Sequence, residues 1–175
     1  MSVAEFEAKM PVSEYVERFV DVDKFLEKCK ECPMYDRKWS CPSFDFDPLD
    51  FWKKYRTIRL VARKINIDKH SEEDPQDIFY SARKRLLYKI KAMESLSPRS
   101  VTLAAGSCDY CGRDNCARAR GERCTYPDKC QYSLEALGGD VELTAKELFG
   151  LDMQWDLNGE LPDYYVIVGA LLTID

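Results

Sequence analysis

Eight cysteines in two tight groups constrain this chain more than any other feature. Cys29, Cys32 and Cys41 form the first group; Cys108, Cys111, Cys116, Cys124 and Cys130 form the second. Each group opens with a C-x-x-C. Thiolate is a soft donor that suits zinc and iron–sulfur clusters, and two four-cysteine sites would need eight of them. The stretches 29–42 and 106–130 are therefore expected to be metal-binding loops held on a scaffold made by the rest of the chain.

The compartment decides whether such thiols pair with one another or with metal. The opening MSVAEFEAKM lacks a basic region followed by an apolar run, so it does not read as a secretory signal. The longest apolar stretch, Tyr164–Ile174, is about half of what a membrane-spanning helix needs. The expectation is a cytoplasmic protein with no membrane partner, where disulfides are rare and this spacing points to metal or redox chemistry. A chain of 175 residues can bury a core without disulfide staples, and a single metal-binding domain over 1–175 is expected.

The scaffold reads as α+β. A short strand is expected near Phe19–Val22, then a short helix from Asp23 into Cys29. Asp47 and Pro48 start a helix that runs to about Tyr55, with Asp47 as N-cap. Thr57–Ile67 is rich in β-branched residues and reads as a strand. Asp74-Pro75 begins a longer helix, with Ile78, Ala82, Leu86, Ile90 and Met93 at helical spacing on one face and Phe79 widening it. Ser97-Pro98 ends that helix, and Ser100–Gly106 is a strand that leads straight into Cys108. Strand, amphipathic helix, strand is a βαβ signature, for which parallel strands and a right-handed crossover are expected. Ser133–Leu137 reads as a short helix closed by Gly138-Gly139, and Asp140 caps another over Val141–Phe149. Asn158-Gly159 signals a turn. Tyr164–Ile174 reads as a buried central strand. The fold class is thus a small mixed β-sheet with one βαβ unit and two cysteine-rich loops.

Cys108-x2-Cys111-x4-Cys116-x7-Cys124 is the stronger constellation, four thiolates among Gly106, Gly112 and Gly121. Glycine lets backbone wrap closely around an inorganic core and turn N–H groups toward its sulfurs. Gly106, Gly112 and Arg113 are the residues placed against the cofactor, the arginine offsetting thiolate charge. Cys29-x2-Cys32-x8-Cys41 supplies three ligands; its fourth is Cys130, water, a substrate or nothing. Tyr35 and Trp39 either shield that site or simply pack. The thiolate count and uneven spacing favour an iron–sulfur cluster of the 4Fe–4S type, with zinc as the alternative. Cys130 could also be a buried apolar residue rather than a ligand.

The segment C-K-E-C-P-M-Y-D-R-K-W-S-C-P (Cys29–Pro42) resembles the C-x2-C-x2-Y-x3-W-x-C-P-P signature of a family of bacterial and archaeal predicted metal-binding proteins of unknown function (domain of unknown function 2284). Gly106–Cys111 and Cys124–Val141 are similar to its second block. Ser43 stands where that family usually carries a second proline, and Gly139 where an aliphatic residue is common. The resemblance implies metal, with iron–sulfur the usual suspicion, and supplies no reaction.

Charge is uneven. Residues 134–175 carry nine acidic side chains and one basic one, while 24–41 balance at +2 and 108–130 at +1. The acidic third argues against nucleic acid as a partner and suits electrostatic steering of a redox protein. His70, the only histidine, sits in a polar stretch and reads as a solvated loop residue. No nucleophile elbow, phosphate loop or dinucleotide fingerprint is present. Electron transfer or redox sensing, a zinc-stabilised interaction module, and an enzyme with an open three-cysteine site are the functions left standing.

Overall fold

The computed structural model describes residues 2–155 and 160–175, so the Asn158-Gly159 turn lies outside the described residues. Four strands, β1 (Val3–Pro11), β2 (Thr57–Asn66), β3 (Val101–Leu103) and β4 (Tyr164–Thr173), form one sheet in the order β1-β2-β4-β3. Each neighbouring pair is antiparallel. Five helices surround it: α1 (Val12–Phe19), α2 (Val22–Lys30), α3 (Pro48–Trp52), α4 (Pro75–Ser95) and α5 (Val141–Phe149). The α+β expectation holds.

The βαβ unit is present in split form. Strands β2 and β3, joined through α4, run in the same direction, but β4 lies between them and pairs antiparallel with both. The expected parallel direction of the two strands holds, but no neighbouring pair is parallel, so the sheet is antiparallel rather than mixed. The reason is burial: β4 is apolar along nearly its whole length, and such a strand is most stable with neighbours on both edges and cover on both faces. Strand alternation sorts that cover. Val61, Ile65, Ile167 and Leu171 pack against the inward stripe of α4, Ile78, Ala82, Leu86 and Ile90. The even-numbered residues Ile58, Leu60, Val166, Val168 and Leu172 face the opposite way, into the larger core with α1, α3 and α5.

Two departures lie near the N-terminus. Residues 3–11 form an edge strand that the sequence reading passed over, although Phe6, Ala8 and Met10 alternate with Glu5, Glu7 and Lys9. The strand expected at Phe19–Val22 is a single bridge between Val20 and Gly139. Here Val12, Tyr15 and Phe19, at helical spacing, turn the preceding residues into α1. Asp21 then caps α2 by accepting from the Lys24 amide at 3.0 Å.

The segment after the second cysteine loop ties back onto this corner. A 3-10 turn, Glu135–Leu137, leads into Gly138, whose carbonyl accepts from the Asp21 amide at 2.8 Å. The Asp140 amide donates to Phe19 at 2.7 Å, and the Trp52 indole N–H to the Leu137 carbonyl at 2.9 Å. Inside the core the Tyr15 hydroxyl pairs with Thr144 Oγ1 at 3.0 Å.

Candidate metal centre

The second cysteine loop is closed at its base. Just past β3 the Ala104 amide donates to the Tyr132 carbonyl at 2.8 Å, and Ala104 and Ser133 form a parallel bridge. Between those points the chain carries all five cysteines of the group. Cys108 and Cys130 meet near the base, with a hydrogen bond between their side chains. That bond, with further ones from the backbone of Tyr110 and Gln131, holds the Cys108 thiol well below the usual range although burial opposes it. Cys130 is pushed up by the same bond, by burial, and by the charges of Cys108, Cys124 and Cys116. Burial raises Cys111 as well, with Cys108, Cys124 and Cys116 adding to the rise. Five sulfurs therefore share one electrostatic field. The rings of Tyr110 and Tyr126 meet edge-on across this loop, 5.2 Å apart.

The first loop is a run of tight turns. The Cys32 amide donates to the Cys29 carbonyl, Tyr35 to Cys32, and Cys41 to Lys38, each at 3.0 Å. Burial, with the charges of Cys41 and Cys32 adding to it, pushes the Cys29 thiol up to about 11. Cys41 is raised by burial too, opposed by a hydrogen bond with Ser40 and by the charges of Lys38 and Arg118. Cys32 is exposed.

Four side chains lock the loops together. Lys38 is 3% exposed, and its ammonium donates to Asp109 Oδ1 at 2.6 Å, the Cys108 carbonyl at 3.1 Å and Ser107 Oγ at 3.2 Å. Ser40 Oγ accepts from the Cys108 amide at 2.9 Å and lies 3.9 Å from Cys41 Sγ. From the other side, Arg118 donates to the carbonyls of Lys38, Cys41 and Ser43 and to Asp36 Oδ1, at 2.6–3.1 Å. Its planar fork suits several acceptors at once. The Trp39 indole N–H donates to the Glu122 carbonyl at 3.0 Å beneath that guanidinium. Trp39 is thus a clasp between loops. Ser43 uses both its amide and its hydroxyl on Asp36, at 2.9 and 2.8 Å, which proline at this position could not do.

Gly106 adopts φ +83°, and a Cβ there would stand 2.9 Å from Arg83 Nη2. The space goes to Arg83, which donates to the Ala105 carbonyl at 2.5 Å and the Ser107 carbonyl at 3.0 Å. Gly112 turns the chain between Cys111 and Cys116 at φ +94°. The Arg113 guanidinium lies 3.5 Å from the centre of the Tyr80 ring. Lys38, Ser40, Arg83 and Arg118 carried no signal of their own in sequence; only the fold brings their acceptors to them.

Among the described residues, no three His, Cys, Asp or Glu side chains converge closely enough to hold a single metal ion. The loops nevertheless carry a donor set made of sulfur. Its thiols crowd one another's charge and lie partly buried, a penalty that a cation bound among them removes as protons leave. The set fits a thiophilic centre.

The family described as Predicted metal-binding protein (DUF2284) matches residues 16–173. The chain belongs to this family. The match covers both cysteine loops and three of the four strands, with β1 lying outside it. Neither the curated proteins nor the solved structures yield a match. No helix among the described residues is long and apolar enough to cross a membrane.

Proposed function

We propose that this member of the metal-binding family is an iron–sulfur protein serving electron transfer or redox sensing in the cytoplasm. The observation that carries the reading is the closed second loop, which gathers five thiols into one field. Cys108, Cys111, Cys116 and Cys124 are the ligands of a 4Fe–4S cluster in this reading. Cys130 supports Cys108 through their hydrogen bond or exchanges with it. Cys29, Cys32 and Cys41 form the second, three-thiolate site. Bound there, a cluster supplies a one-electron couple; the protein sets its potential through burial and through N–H groups near sulfur. Lys38 and Arg118 hold positive charge behind the thiolates, which favours the reduced state of a cluster. The acidic residues of the C-terminal third supply the field that would steer a basic redox partner.

Preparation without oxygen tests this reading directly. The expected product is brown, with visible charge-transfer absorption and iron and acid-labile sulfide in stoichiometric amounts. Replacing Cys111 or Cys124 by Ser removes the part of that absorption and of the iron that belongs to the second loop, whereas Cys130→Ser retains it. A colourless protein that holds zinc overturns the assignment.

A further inference from the structure

A cavity of about 480 Å³ lies beside the cysteine loops, in the size range of small-molecule sites. It exists because β3 is short. Leu103 is the last β3 residue paired with β4, opposite Ala170. Beyond it the chain turns off through Ala105 and Gly106 into the cysteine loop. Residues 165–168 of β4, which a longer β3 would have paired, line the cavity instead. The other walls are Phe79, Tyr80 and Arg83 of α4, Glu135, and Trp155.

Two charged groups in this wall have unmet bonding capacity. Glu135 Oε2 is buried and has no hydrogen-bond partner among the described residues; the carboxyl group's partners are Ser133 and its own backbone. A buried acceptor left unpaired costs free energy, and native structures carry few of them. Arg113, at the rim, rests on the Tyr80 ring and makes no ion pair among the described residues. Arg83 differs: its Nε and Nη2 donate to the carbonyls of Ala105 and Ser107, and Nη2 lies 3.5 Å from Asp109 Oδ2. An aromatic-walled space with one open carboxylate and one open guanidinium complements a ligand of opposite polarity at two points.

We infer that this cavity binds a small aromatic zwitterion of the α-amino-acid type, its ring against Phe79, Tyr80 and Trp155, its ammonium on Glu135 and its carboxylate on Arg113. The assignment does not depend on which metal the cysteines hold. It gives the family member an organic ligand beside its cysteine loops.

Calorimetry on the full chain as purified without oxygen, with its metal content measured separately, tests the inference with three probes: L-phenylalanine, phenethylamine and 3-phenylpropionate. L-Phenylalanine is expected to bind most tightly. Glu135→Gln should weaken L-phenylalanine and phenethylamine by about tenfold or more, as expected for a lost charge-assisted bond, and leave 3-phenylpropionate unchanged. Arg113→Ala, at an exposed position, should weaken L-phenylalanine and 3-phenylpropionate and leave phenethylamine unchanged. If Glu135→Gln does not fold, the Arg113→Ala pattern alone decides. Absence of measurable binding of all three probes, or L-phenylalanine binding that Arg113→Ala does not alter, overturns the inference. Neither result touches the iron–sulfur reading, which stands on iron, sulfide and colour.

Discussion

Lys38 sits in an ordinary-looking run, Arg37-Lys38-Trp39-Ser40, and nothing about its type separates it from a solvated lysine. Its burial is made by acceptors that arrive from about seventy residues away in the chain, which is why no local pattern announced it. The cysteines are the opposite case. Their chemistry is written in their identity and spacing, so the two groups were legible at once; which sulfur would lie beside Cys130 was not. Glu135 is also a creature of tertiary packing. Burial raises its carboxyl from the ordinary value of 4.5, and Arg83 only partly opposes this. The sign follows: below about pH 4.5 the group is neutral folded or unfolded and carries no penalty. As pH rises toward the raised folded value, the unfolded chain ionises first and stability falls. Glu135→Gln cannot ionise, so the melting temperature of the native chain minus that of the variant should decrease between about pH 4 and pH 7. A difference that grows with pH would show that the folded protein welcomes the charge.

At the scale of elements, caps and periodicity did most of the predicting. Asp47, Asp74 and Asp140 each accept a backbone hydrogen bond at the start of the helix they were expected to open. Strand β1 escaped because Ala, Glu and Lys are weak strand formers and an edge strand buries only half of one face. The strand expected at Phe19–Val22 failed because its apolar residues serve two periods, and the core claimed the helical one. The loops themselves are held as a unit, and Asp109 is where the unit is most exposed to damage. It receives Lys38 at 2.6 Å and lies 3.5 Å from Arg83. Asp109→Ala leaves the buried Lys38 ammonium without its carboxylate and should cost about 3 kcal/mol, the low end for breaking a buried pair. Urea unfolding would read this as a lower midpoint with unchanged slope. A loss under about 0.5 kcal/mol would mean that Ser107 and the Cys108 carbonyl suffice for Lys38.

Across the whole molecule, the two central strands β2 and β4 contribute to both cores. Gly169 marks the closest approach of β4 to α4: a Cβ there would stand 2.7 Å from Ile90 Cδ1 and 3.0 Å from the Leu103 carbonyl. Gly169→Ala should destabilise the protein by about 1–3 kcal/mol through overpacking, seen as a lower melting temperature with the cysteine chemistry intact. That β4 would be central was legible from its unbroken apolar run. That it would separate β2 from β3 was not, because strand order depends on contacts between distant segments rather than on any one segment's composition. The order also sets a schedule for synthesis. Both thiol-bearing segments leave the ribosome while the sheet still lacks its middle, so an inorganic centre could be captured by loops whose foundation has yet to close. Strand β4, which follows both loops in the chain, is the element that locks that foundation shut.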